Sequence, residues 1–185
     1  MSYISEQLER FTALRSNFET TRDYISISHC IEPVDKIVEM FLRGFEDSHK
    51  IRLRCYKGYQ MEADLRSRVM QCFPTMAYPA EEIAAFGGLV KGHPDLKFNG
   101  HWTDFKAVPL DAHLPDVKVP ARVYWQMQGY MRYGGGEKSL VIYESRETGI
   151  IRDYSINTHS RIQDAIHDKL SQAVQIIRKE TSKVA

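Results

Sequence analysis

The 185-residue chain is 43 % hydrophobic, enough for a substantial core at a length usual for one domain. Its 25 basic and 24 acidic residues nearly cancel, which excludes a global field drawing it onto nucleic acid or an anionic membrane, so any polyanion site must be a local patch. Cys30, Cys55 and Cys72 are odd in number, far apart and without a C-x-x-C pair. That speaks against a disulfide framework or a cysteine-built zinc or iron–sulfur site, and the absence of any long apolar run or signal-like N-terminus sets the expectation of a soluble, cytoplasmic protein without a membrane partner.

In chain order, residues 3–17 and 33–46 read as helices; in the second, Pro33 suits a first helical turn and Ile37, Met40, Phe41 and Phe45 recur at helical spacing. The segment 50-KIRLRCYK-57 places Lys50, Arg52 and Arg54 on one side if extended, a strip that would either grip a DNA backbone or form a solvated charged face. A third helix spans about 57–73. From Glu81 to Val108 short extended runs broken by 86-FGG-88 and 99-NG-100 predict consecutive antiparallel strands. A helix follows over 119–132, ended by Gly134-Gly135-Gly136, then strands 139–145 and 149–156. The last helix, over 159–181, opens on a Ser160/Gln163 capping box and buries Ile162, Ile166, Ala173, Val174 and Ile177. The order predicts an α/β domain with a mixed central β-sheet flanked by helices.

Asn99-Gly100 between extended runs predicts a two-residue type I′ hairpin, since both turn residues need positive φ. Phe98 then faces His101, Lys97 faces Trp102, Leu96 faces Thr103, and Asp95 lies opposite Asp104 with Cβ atoms roughly 5 Å apart. By alternation Pro94, Leu96, Phe98, Thr103 and Phe105 line a core face, while His93, Asp95, Lys97, Trp102, Asp104 and Lys106 share the other, left for chemistry or solvent. Like charges directly opposite destabilise a sheet unless something neutralises them. Either Mg²⁺ or Mn²⁺, which favour hard oxygen ligands, sits between them, or diagonal Lys97 and Lys106 balance them on an exposed face. On the 57–73 helix Gly58, Glu62, Leu65, Val69 and Phe73 recur along one stripe, so Glu62 either faces a partner inward or pairs with Arg66 on the surface. Gln126 and Tyr130 share a face at i, i+4, as a buried pair or as groups over the sheet.

The motifs 58-GYQME-62, 92-GHPD-95, 104-DFK-106 and 126-QMQGY-130, in that order, resemble the PD-(D/E)xK nuclease superfamily, most closely its RecB-like and lambda-exonuclease-like branch, over residues 58–156. The resemblance implies a restriction-endonuclease-like core within a single nuclease domain over 1–185, with a helical N-terminal part over 1–50. It implies a Mg²⁺- or Mn²⁺-dependent deoxyribonuclease, with the exonuclease of recombination, repair or phage DNA processing as first reading. A structure-selective endonuclease and a non-catalytic DNA-end-binding module are the alternatives.

Carried over by residue, the resemblance implies that Asp95, Asp104, Glu62 and the main-chain carbonyl of Phe105 hold the metal. Lys106 would orient or activate water and stabilise charge in the transition state, and Gln126 and Tyr130, with Arg52 and Arg54 of the basic strip, would contact DNA. His93 is expected as a supporting residue beside the metal ligands. Some relatives carry four cysteines around an iron–sulfur cluster; with three here, none near the C-terminus, no cluster is expected. The chain has no Walker A loop, so unwinding would need a separate helicase or recombination partner, and a homo-oligomer is a further expectation. The setting implied is a bacterial cell or a phage-infected host.

Overall fold

The computed structural model describes residues 23–44, 49–116 and 118–183, the side chains of 49–55 excepted. The helix expected over 3–17 therefore lies outside the described residues, as do Phe45 and the side chains of Arg52 and Arg54. Among the described residues, no helix is long and apolar enough to cross a membrane.

The helices are α1 (Val34–Arg43), α2 (His49–Cys72), α3 (Ala121–Gly134) and α4 (Ser160–Thr181), and the strands are β1 (Ile25–Ser26), β2 (Ala77–Pro79), β3 (Ile83–Ala85), β4 (Val90–Gly92), β5 (Leu96–Phe98), β6 (His101–Val108), β7 (Lys138–Ser145) and β8 (Ile151–Asn157). Five strands form a mixed sheet in the order β2-β5-β6-β7-β8, parallel only between β6 and β7. Helix α3 makes the crossover between those two strands, as a parallel pair requires. A small second sheet runs β1-β4-β3, with β1 parallel to β4. The fold is mixed α/β, as expected, with two sheets instead of one.

Both faces of the large sheet are covered. On one, Leu65 of α2 packs on Leu96 and Phe105, with Val69, Met70, Phe98 and Ile142 around them. On the other, Trp102, Val141 and Tyr143 join Met127, Tyr130 and Met131 of α3 and the apolar stripe of α4 in the main core. Full burial of side chains such as Leu96 and Phe105 contributes about 1.5–3 kcal/mol each. Of the two uses left open for the Trp102 and Asp104 side of the sheet, chemistry or solvent, a broadly solvated face does not form, because α3 lies over it.

Other expectations are corrected. Helix α2 starts at His49 instead of 57, so the 50–57 strip has a helical backbone and the extended arrangement of Lys50, Arg52 and Arg54 does not form. The run from Glu81 to Val108 does not make one antiparallel series: β3 and β4 pair in the small sheet, β5 and β6 in the large one. Pro33 is the residue preceding α1, not one inside its first turn. Ser160 is the first residue of α4 and caps nothing. That junction is held instead by buried Gln128 of α3, whose Oε1 accepts from the His159 N–H at 2.9 Å while its Nε2 donates to the Asn157 carbonyl at 2.7 Å.

Candidate active site

The Asn99-Gly100 turn folds as its composition dictates, with φ of 49° and 79°. The register agrees with the sequence reading through Phe98↔His101, Lys97↔Trp102 and Leu96↔Thr103. At the next residue it departs. The Asp95 N–H donates to the Thr103 carbonyl at 3.0 Å, so Asp95 and Leu96 both lie opposite Thr103 and the direct Asp95–Asp104 pairing is replaced by a two-against-one bulge. The bulge turns Asp95 so that its Oδ2 accepts from the Phe105 N–H at 2.6 Å. It also lets the chain leave β5 for β4 in the other sheet.

Asp104, 3 % exposed, is the most enclosed acid here. Its Oδ1 accepts from Gln126 Nε2 at 3.1 Å, and the same nitrogen donates to the Tyr130 hydroxyl at 2.7 Å, which in turn donates to the His93 carbonyl at 3.3 Å. Its Oδ2 pairs with the Lys106 ammonium and has no hydrogen-bond partner beyond that ion pair. So Gln126 and Tyr130, the predicted DNA contacts, are buried and direct their described hydrogen bonds at Asp104 and the backbone. Lys97, the other diagonal cation, lies over the Trp102 ring with Nζ 4.0 Å from its centroid. The exposed, mutually balanced face is therefore not what forms.

Glu62 enters from α2. Its neighbours are the Lys106, Asp104 and Arg146 charges and the Ala107 backbone N–H, rather than Arg66, which stays exposed. The helix is anchored by Arg68, whose Nη2 reaches Glu144 Oε1 at 2.7 Å and whose Nε reaches Asp64 at 2.9 Å. Arg68 and Glu144 were missed in the sequence, since nothing local relates positions 76 apart. The His93 ring is half-exposed and bonds Glu82 Oε2 at 2.9 Å.

Burial first, then the Asp104 charge, push the Asp95 carboxyl up to about 7. Burial also raises Glu62, against the pull of Lys106. Burial works against a charged Lys106, yet the Asp104 and Glu62 carboxylates outweigh it and hold its pKa above the ordinary lysine value, so it remains an ammonium at neutral pH.

Glu62, Asp95, Asp104, Lys106, His93, Gln126 and Tyr130 all line one cleft of about 560 Å³. Tyr24, Ser26, Ser28, Tyr59, Arg122 and Val123 complete its wall and were not singled out from sequence. Among the described residues no group of three His, Cys, Asp or Glu side chains stands close enough to hold a metal as it is. The donors nonetheless suit a hard cation: they are carboxylate oxygens, and Asp104 Oδ2 is buried with only an ammonium for company.

One of the motif glycines has a steric reason. A Cβ on Gly92 would stand 2.7 Å from Ile27 Cδ1 and 2.8 Å from Tyr130 Cε1, so glycine lets β4 approach the tyrosine of the last motif. At Gly58 a Cβ would lie 3.6 Å from an Arg146 guanidinium nitrogen, an ordinary contact, so sterics do not require glycine there.

No protein-family model and no curated protein matches this sequence. Solved structures do match in fold. An alkaline exonuclease from Laribacter hongkongensis is similar with a TM-score of 0.63 at 12 % identity, over 88 % of this chain and 95 % of that one. Its complex with dAMP gives a TM-score of 0.63 at 14 % identity over 96 % and 100 %. A phage-related exonuclease from Haemophilus somnus gives 0.60 at 12 % identity over 95 % and 100 %. The chain thus has a fold found in exonucleases, in agreement with the PD-(D/E)xK resemblance of its motifs.

Proposed function

We propose that this protein is a Mg²⁺- or Mn²⁺-dependent deoxyribonuclease, an exonuclease rather than a sequence-specific endonuclease. The observation that carries the reading is the convergence of Glu62, Asp95, Asp104 and Lys106 from two elements and the bulge between them onto one cleft. Its likeness in fold to exonucleases supports the choice of reaction. Burying like charges together costs stability, and a cleft that keeps them does so for a ligand that neutralises them.

Asp95, Asp104 and Glu62 would hold the cation, which when bound neutralises phosphodiester charge and acidifies water. Gln126 fixes Asp104, and Tyr130 fixes Gln126, so that one carboxylate oxygen is committed to the α3 amide while the other is paired only with the Lys106 ammonium. Lys106 keeps its proton at neutral pH; its work is to place a positive charge beside the reacting phosphate and to hold water by donation, not to take a proton. Arg122, in the first turn of α3, lines the same cleft and would supply a second cation for a phosphate.

The test compares wild type and Lys106→Ala on end-labelled linear and closed circular DNA with Mg²⁺, Mn²⁺ or EDTA. The expected result is metal-dependent loss of linear DNA from its ends by wild type, circles spared, and a drop of about 10²-fold or more in the variant. Cleavage of circles would make it an endonuclease, and no cleavage of any form with either metal would overturn the reading.

A further inference from the structure

Resting on that reading, we infer that Tyr59 is a stacking platform for an unpaired terminal base, so that the substrate is a single-stranded or frayed DNA end. Much of the cleft wall is carboxylates, two cations and hydrogen-bonding groups that would address a phosphodiester. Tyr59 adds an aromatic ring to them. It lines the same chamber and is 50 % exposed. A lone exposed aromatic on a surface is ordinary. One placed inside a charged cleft offers apolar area to whatever enters.

Position along the helix strengthens the case. Tyr59 precedes Glu62 by three residues, so ring and carboxylate share a side of α2 about one turn apart. A second phenol, Tyr24, next to β1, lines the same cleft. Its ring is already held, with Lys91 Nζ 5.4 Å from the centroid and the His93 ring 5.6 Å away and tilted at 57°. The chamber therefore has charged groups for a phosphate and aromatic faces on separate elements for a base. Stacking tolerates any base, because each has a π-face, and suits an enzyme that must accept every sequence. A base stacked within a duplex has no face to offer Tyr59, so the terminal nucleotide must leave its partner first.

Binding is measured in Ca²⁺ with single-stranded oligonucleotides carrying 2-aminopurine at either end, strand integrity being checked on gels. Wild type, Tyr59→Phe and Tyr59→Ala are compared as full chains whose folding is verified by circular dichroism. Expected are quenching of the terminal 2-aminopurine at one end by wild type and Tyr59→Phe. Tyr59→Ala should lose that quenching and bind about 5- to 100-fold more weakly. On cleavable linear duplex with frayed against G·C-clamped ends, Tyr59→Ala should raise KM for frayed ends more than it lowers kcat. Equal quenching and affinity in Tyr59→Ala would overturn the stacking role, as would damage by Tyr59→Phe equal to that by Tyr59→Ala, which would assign the hydroxyl instead. If wild type binds neither oligonucleotide yet cleaves linear duplex, this inference falls and the nuclease reading stands; if it cleaves no DNA form with either metal, both fall; if it binds and cleaves but Tyr59→Ala matches it, only the inference falls.

Discussion

The side-chain amide of Gln126 donates to Asp104 Oδ1 at 3.1 Å across the α3–β6 interface, and Asp104 is 3 % exposed. The helix thus decides how the most buried acid of the cleft is aimed. At metal sites, removing a hydrogen bond that supports a ligand costs roughly 10- to 100-fold in metal affinity. Gln126→Ala should therefore weaken Mn²⁺ binding by titration calorimetry by about that factor, while Tyr130→Phe, one bond further out, should cost only about a few-fold. Equal effects of the two would mean that Gln126 acts through packing.

Asp95 should make the metal-free protein less stable as pH rises. A carboxyl raised in the folded state from 3.8 to about 7 binds its proton more tightly there than in the unfolded chain. Stability is therefore full below the lower value and is lost as pH climbs through the upper one. Asp95→Asn, which keeps an oxygen for the Phe105 N–H, should raise metal-free stability at pH 8 by on the order of 2 kcal/mol and flatten this dependence. Denaturation in EDTA from pH 5 to 8 reads it directly; a wild type more stable at pH 8 than at pH 5 would refute it.

Arg68 and Glu144 tie α2 to β7, and Glu144 is buried while Arg68 is half-exposed. Arg68→Ala strands the carboxylate and should cost about 1–3 kcal/mol, less than for a pair buried on both sides. Arg68→Met with Glu144→Leu should recover most of that in urea melts. Because α2 carries Glu62, the single variant should also lose activity beyond what its unfolded fraction explains.

Gly92→Ala would press a methyl between Ile27 and Tyr130, at 2.7 and 2.8 Å. The expected cost is about 1–3 kcal/mol, with the Tyr130 ring displaced from Gln126. Gly100→Ala, where a Cβ meets nothing but φ is 79°, should cost about 1 kcal/mol through backbone strain alone and leave cleft activity unchanged. Comparing thermal melts with cleavage rates separates the two.

Local signals were strong where the chain satisfies itself locally. The hairpin came from Asn99-Gly100 because two positive φ values are needed there and few residues accept them. The apolar stripes of α1 and α4 came from spacing, and Glu62 stood out because a glutamate interrupts such a stripe. The strip at 50–57 misled because alternating basic residues fit a helix as readily as a strand. β1 and β2 are two and three residues long and carry no periodicity; pairing to β4 and β5 makes them strands. The capping box at Ser160 had the right letters, but Gln128 from another helix supplied the bonds.

Sequence alone determined which acids, amides and aromatics the chain offers, their order, and the hairpin register through Leu96, since turn geometry and side-chain alternation act over a few residues. The tertiary structure decided the rest: the bulge that takes Asp95 out of direct register with Asp104, the two sheets, and the placing of Lys106 and Gln126 on the two oxygens of one buried carboxylate. Those outcomes rest on desolvation and on charge separations of a few ångströms, and both are properties of what packs together rather than of what is adjacent in the chain.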